Sequence, residues 1–248
     1  MKRCLFALLC ATAPVLGAAE AAEDLRRADA AYAVGDFEAA RAGYASLIDA
    51  GRGGADLRYN LGNALYRLGQ IGPARLWYER ALLLSPRHED ARHNRDLIRR
   101  QIGESAPPGD FVLTLVNVLW TGTAVLGFGF FALLLAGLFR SGELVWWGRW
   151  VTGVLYAIAL AASLAADRQA AQPVGVVVAQ RVEARAGPSA QEQVGFLLPE
   201  GQKVALFETI NGWTQVGLAD KSLKGWVPVQ TVSSIRQRPH RHKPGPIE

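Results

Sequence analysis

From Phe111 to Phe139 the chain runs without a single charged side chain. As a helix rising 1.5 Å per residue such a segment would be about 43 Å long, more than the ~30 Å that a bilayer core requires. The excess is assigned to the Phe111 to Asn117 end, in the headgroup region, with Trp120 near the interface where an amphipathic ring is favoured. A second apolar block, Leu144 to Ala166, contains one charge, Arg149, within Trp146-Trp147-Gly148-Arg149-Trp150, an arrangement suited to a snorkelling cation in an aromatic belt. The short link Arg140-Ser141-Gly142-Glu143 makes the blocks antiparallel neighbours, so a transmembrane hairpin is expected over 111–139 and 144–166. Gly153, Ala157, Ala161 and Ala165 recur at every fourth position and predict the close-packed face of the second helix. Two buried helices of a soluble core are the alternative, but they would need a large surrounding domain that the flanks do not supply. A transport or channel role would need polar pathway residues that the spans lack.

Arg140 and Arg149 place the hairpin turn in the cytoplasm by the positive-inside rule, leaving both flanks on the exported side. The start of the chain agrees. Met1-Lys2-Arg3, an apolar stretch from Cys4 to Gly17 and the small-residue run Gly17-Ala18-Ala19-Glu20-Ala21-Ala22 have the layout of a secretory signal peptide over 1–21, cleaved after Ala19 or Ala21. An uncleaved anchor is the other reading, although Pro14 and the short apolar length suit it poorly. Cys4 and Cys10 both fall in this segment, so a mature chain has no thiol, no disulfide and no cysteine-held metal. Lipidation at Cys10 would want a small preceding residue, and Leu9 is not one.

The net charge of +5 and a pI near 9.5 raise nucleic acid as a partner, and the distribution of charge argues against it. Residues 21–110 carry 13 Arg against 13 acidic residues, and residues 174–235 carry 5 basic against 5 acidic residues. The excess sits at Lys2 and Arg3 and in the tail at Arg236, Arg238, Arg241 and Lys243.

Laid against itself so that 21–54 aligns with 55–88, the sequence matches Tyr32 with Tyr66, Gly35 with Gly69, Ala40 with Ala74 and Tyr44 with Tyr78. This period predicts paired helices in which Ala40 and Ala74 allow close approach, Tyr44, Leu61, Leu65, Tyr78 and Ala81 fill the gaps, and Pro86 stops the second helix of the second pair. The run Tyr59-Asn60-Leu61-Gly62-Asn63-Ala64-Leu65-Tyr66, with Gly69, Ala74, Tyr78, Ala81 and Pro86, resembles the tetratricopeptide repeat family. The first copy fits less well: Arg27 stands where the family has a large apolar residue, and its first helix is expected to be frayed or altered. Glu89 to Ile102 reads as a polar capping helix with Leu97 and Ile98 as apolar contacts, giving an all-α array over 22–102. Two repeats and a cap are short for such an array, so a partner or self-association is expected to complete it. The resemblance implies a groove for extended peptides or helices, mapping to Asp29, Tyr32, Tyr59, Asn63, Tyr66 and Arg67, where Asn and Arg would suit a carboxylate. A plainer reading stands beside it, with the asparagines satisfying local backbone and the arginines forming a solvated face. Residues 103–110, with Pro107-Pro108, form a stiff linker to the membrane.

From Val174 to Ile235 the pattern becomes short Val-, Leu- and aromatic-rich runs: Val176 to Val182, Val194 to Leu198, Lys203 to Ile210, Trp213 to Leu218 and Gly225 to Val229. Five strands in a small all-β barrel are expected, with a two-residue hairpin at Asn211-Gly212 and a second turn at Pro199-Glu200-Gly201. The ordered segments 182–189, 198–204, 211–216 and 225–227 resemble the bacterial SH3 domain, with Glu183-Ala184 before Arg185 as a departure. That family commonly binds peptides, often of the cell wall, so Trp213 and Trp226 are the ligand candidates. A barrel this small also needs large apolar side chains as filling, which is the structural reading of both. Residues 236–248 are expected to be a disordered basic tail.

His88, His93, His240 and His242 have no ligand-like arrangement, and no nucleophile–base constellation, phosphate loop or apolar carboxylate pair is evident. The expectation is a non-enzymatic protein with no catalytic residue, metal or cofactor. The order of signal peptide, tetratricopeptide pair, membrane hairpin and bacterial SH3 domain resembles BatE-type proteins of the Bacteroides aerotolerance operon. This resemblance implies membrane-anchored von Willebrand A-domain proteins and a MoxR-type ATPase as partners, with a role in assembly or envelope stress. The expected whole is a multidomain inner-membrane protein displaying periplasmic recognition modules. A peptidoglycan-binding anchor, with the repeats as spacer, is the alternative.

Overall fold

The structure, a computed structural model, describes residues 19–104, 109–139, 142–170, 172–218 and 223–236. The expected signal peptide before residue 19, residues 105–108 of the linker, part of the hairpin turn and the basic tail beyond 236 lie outside the described residues. The chain forms two compact units: Ala106–Gln172, and a second unit made jointly by Met1–Ser105 and Pro173–Glu248.

In the joint unit, helices α1 (19–33), α2 (Phe37–Asp49), α3 (Ala55–Arg67), α4 (Ile71–Leu84) and α5 (Glu89–Gln101) follow one another. The pairs turn at Gly35 and Gly69, with φ of 85° and 76°, a left-handed conformation that glycine adopts without steric penalty. Asp36 caps α2 by accepting from the Ala39 N–H at 3.0 Å, and His88 Nδ1 accepts from the Ala91 N–H to cap α5. Ala40 and Ala74 are fully buried. Gly62 admits the Tyr78 ring where a Cβ would lie 2.6 Å from it. Helix α1 is continuous from residue 19, and Arg27 does not interrupt it: its guanidinium turns to Asp24 one turn earlier on the exposed face. Ala28, Tyr44, Leu47, Leu57, Leu61, Ala64, Leu65, Tyr78 and Ile98 make one continuous core.

The C-terminal part departs from the expected five-stranded barrel. It has seven strands, β1 (Val174–Val177), β2 (Val182–Arg185), β3 (Val194–Leu198), β4 (Lys203–Ile210), β5 (Trp213–Gly217), β6 (Lys224–Pro228) and β7 (Val232–Ser234). They form one antiparallel sheet in the order β3-β2-β6-β5-β4-β1-β7, open between β3 and β7 rather than closed. The expected first strand is two, because the chain breaks before Val182 at Arg181, whose φ is 49°. The added last strand, β7, pairs with β1. Asn211 and Gly212 take φ of 49° and 78° between the paired Ile210 and Trp213, as a two-residue hairpin requires. Val177, Val182, Ala184, Leu198, Val204, Val216 and Val227 fill the sheet core.

Helix α4 carries this sheet. Leu76 packs with Val176 and Ile235. Arg75, 1% exposed, donates through Nη1 to the Gly201 carbonyl at 2.6 Å and clasps the Glu104 carboxylate with both terminal nitrogens. Lys203 Nζ reaches Glu79 at 3.3 Å. Helix α4 has no side-chain cap of its own, and the Gly72 N–H in its first turn donates to Glu200 Oε1 at 2.8 Å. The turn Pro199-Glu200-Gly201 thereby places a carboxylate at the positive end of the helix.

In the other unit, α6 (Gly109–Phe139) and α7 (Glu143–Ala170) pack against each other. Val118–Gly137 and Trp146–Arg168 are long and apolar enough to cross a membrane. The packed face of α7 differs from the expected alanine stripe. Gly153 belongs to it, with Phe130 where a Cβ would lie 3.0 Å away, but Ala157, Ala161 and Ala165 are exposed. The contact instead follows Gly153, Tyr156, Leu160, Ser163 and Asp167. Tyr156 stacks on Phe130, Ser163 and Thr123 share a buried hydrogen bond of 2.9 Å, and Trp120 Nε1 donates to Asp167 at 3.0 Å. A strict step of four drifts around a helix of 3.6 residues per turn, whereas mixed steps of three and four keep to one side.

Candidate functional site

Helices α1, α3 and α5 present side chains to a groove that the chain builds from equivalent positions of its repeat. Tyr44 Oη donates to Asp29 Oδ1 at 2.7 Å, and Tyr78 Oη donates to Asn63 Oδ1 at 2.8 Å. Each partner of the second bond stands one full repeat after its counterpart in the first. Asn94 Nδ2 adds a bond to the same Asn63 oxygen at 3.0 Å, joining the capping helix to the second repeat. Burial first, and the Asp29 carboxylate second, holds the Tyr44 phenol well above its usual pKa. Burial does the same for Tyr78, opposed in part by its bond with Asn94. Both hydroxyls therefore remain donors that fix the carbonyl and carboxylate oxygens beside them.

Two adjoining hollows result. One of about 200 Å³ is lined by Tyr32, Tyr59, Asn63, Tyr66, Arg67, Tyr78, Asn94 and Leu97. The other, about 160 Å³, is lined by Asp29, Tyr32, Tyr44, Asn60 and Asn63. Tyr32 and Asn63 border both, so the hollows form one groove. The structure thus brings Asp29, Tyr32, Tyr59, Asn63, Tyr66 and Arg67 together. Asn63 lines the groove while its oxygen is engaged by the side chains of Tyr78 and Asn94, not by the local backbone of the plainer reading. Arg67 is exposed and lies over the Phe37 ring at 4.3 Å; Tyr32 packs edge-on to that ring at 5.2 Å.

Besides Tyr44, Asn60 and Tyr78, which the sequence reading did not place in the groove, the residues missing from it are Asn94 and Leu97 on α5. Their signal is one further step of the same period, since Asn94 stands one repeat after Asn60, and Leu97 one repeat after Asn63. Helix α5 is a third groove-lining helix, with Leu97 facing the groove and Ile98 fully buried behind it.

Trp213 and Trp226 are separate from this groove. Cross-strand pairing of Gln215 with Trp226 and of Trp213 with Pro228 puts both indoles on one face of the sheet, opposite Val216 and Val227. Trp226 is 7% exposed and Trp213 is half-buried. Arg185 holds the neighbouring loop by donating to the Ala190 and Glu192 carbonyls.

Tyrosine rings, carboxamides, one carboxylate and one guanidinium suit the groove to hydrogen bonding along an extended polypeptide. Among the described residues no group of His, Cys, Asp or Glu is arranged to hold a metal ion. No curated protein matches the chain. The tetratricopeptide repeat family profile matches residues 55–88, so α3 and α4, with the turn after them, form a tetratricopeptide repeat, a module that typically binds proteins.

Proposed function

We propose that this protein is a non-enzymatic inner-membrane scaffold that recruits a protein partner through the groove of its repeats, with the groove and the C-terminal sheet on the periplasmic side. The joint folding of the two segments flanking the hairpin is the observation that carries this reading. A chain that leaves one folded unit after Glu104 and re-enters it at Pro173 needs both flanks on the same side of a bilayer. Gly72, Arg75, Leu76, Glu79 and Arg80 on α4 meet the sheet, and none of them lines the groove. The partners would be von Willebrand A-domain membrane proteins and a MoxR-type ATPase, in an aerotolerance or envelope-stress complex of the BatE type.

A photo-cross-linking residue at Tyr66 in intact cells is expected to trap one such membrane protein, whereas the same residue at exposed Leu84 traps none. Reporter fusions after residues 104 and 236 are expected to be active on the same, periplasmic side. Fusions active on opposite sides, or adducts independent of position, would end this reading.

The half-buried Trp213 favours a second reading, in which the sheet acts as a bacterial SH3 domain that anchors the protein to peptidoglycan. Co-sedimentation of the full chain with purified wall, lost on Trp213→Ala, would support it. No co-sedimentation would remove it.

A further inference from the structure

The repeat preserves one hydrogen bond and changes its charge. At equivalent positions, the acceptor for the buried tyrosine is a carboxylate in the first repeat, Asp29 beneath Tyr44, and a neutral carboxamide in the second, Asn63 beneath Tyr78. One turn beyond Asn63, Arg67 lines the same groove. Among the described residues, Asp29 is the only formal charge lining the first-repeat hollow, and Arg67 the only one lining the second. Among the same residues, no cationic side chain forms an ion pair with Asp29 and no carboxylate forms one with Arg67. Both side chains are exposed, and the hollows between them share Tyr32 and Asn63.

We infer that the groove selects an extended peptide of mixed charge, seating a lysine or arginine side chain at Asp29 and a carboxylate at Arg67. This inference rests on the peptide-groove reading and specifies its ligand. At the first end the Asp29 carboxylate, oriented by the Tyr44 hydroxyl, takes the cation in a charge-assisted bond, and the Tyr32 ring beside it adds an aromatic face that attracts cations. At the second end Phe37 supports the Arg67 guanidinium from below, leaving its N–H edge to a carboxylate, and the Asn94 carboxamide borders the same hollow. Adjacent packed helices lie about 8–10 Å apart, and one helical turn adds about 6 Å along the axis. The two charges are therefore about 10–12 Å apart, or roughly three to four residues of extended chain.

The test uses the full chain in lipid nanodiscs and four fluorescein-labelled dodecapeptides with blocked termini, followed by fluorescence anisotropy. One peptide carries Lys and Asp four residues apart, one carries Lys at both positions, one carries Asp at both, and one is neutral. The mixed peptide is expected to bind at least tenfold more tightly than the others. Asp29→Lys is expected to shift preference to the Asp/Asp peptide, and Arg67→Glu to the Lys/Lys peptide, with far-UV circular dichroism unchanged in both. Equal affinity for all four peptides, lost on Tyr66→Ala, would overturn the charge selection while leaving the groove reading intact. Absence of binding by any peptide, or binding indifferent to Tyr66→Ala, would remove the groove reading and this inference with it.

Discussion

Arg75 and Glu104 form a buried ion pair 29 residues apart in sequence, with side chains 1% and 5% exposed. The guanidinium also holds the Gly201 carbonyl, and the Lys203 N–H approaches the same carboxylate at 3.4 Å. One cation thus ties α4 to the end of the N-terminal segment and to the sheet built from the C-terminal one. The hydrogen bonding is what compensates two charges for their loss of water.

Removing one member should therefore do more harm than removing both. Arg75→Met leaves the Glu104 carboxylate buried and unpaired and is expected to cost about 3–5 kcal/mol, whereas Arg75→Met with Glu104→Met should recover most of that loss. Denaturant midpoints of the full chain in micelles measure the cycle. Additive losses from the two substitutions would show that the residues act independently.

Gly72→Ala sets helix propensity against docking. Alanine favours a helix by up to about 1 kcal/mol, but a Cβ at this position would collide with the Val177 carbonyl oxygen and lie 2.9 Å from Val178 Cα. Both atoms belong to the backbone, so the sheet must move and the Glu200 cap opens. Faster amide hydrogen exchange in β1 and at Gly201, with α3 and the groove unaffected, is the expected signature.

Alkaline titration should separate the tyrosines. The folded pKa values of Tyr44 and Tyr78 are raised, so their contribution to stability is complete below the unfolded value of about 10 and declines as pH rises above it. Burial also lowers the Arg80 pKa, and a depressed folded value has the opposite sign over this range. A guanidinium holds its proton far more strongly than a phenol, so the two tyrosines decide and stability should fall above pH 10. Phenolate absorbance of Tyr44 and Tyr78 should develop only as the repeats unfold, and Tyr44→Phe with Tyr78→Phe should flatten the decline.

In the hairpin, Gly153→Leu is expected to displace Phe130, and Ser163→Ala to lose the bond to Thr123 at about 0.6–1.7 kcal/mol. Ala161→Leu, on the exposed side, should leave thermal stability in micelles unchanged. Equal damage from Ala161→Leu would return the packed face to the alanine stripe.

Much of the local structure is legible along the chain because its causes are local. The repeat period, Gly35 and Gly69 at the turns and Asn211-Gly212 in the hairpin each encode backbone geometry over a short span. The groove is legible for the same reason, since a repeat places equivalent side chains on one side of successive helices. Asn94 and Leu97 escape that logic because α5 is polar and reads along the chain only as a cap.

By itself, the sequence determined the helices, most of the strands and which segments are apolar enough for a membrane, since periodicity and length are properties of each segment alone; the break between β1 and β2 and the added β7 escaped it. Only the tertiary structure decided that the sheet remains open, that Glu200 caps a helix 128 residues away, and that the parts flanking the hairpin fold as one unit. Arg75, Glu79, Glu104 and Lys203 look like ordinary surface charges when read along the chain. Their role arises where distant segments exclude water together, and burial of that kind leaves no periodic trace.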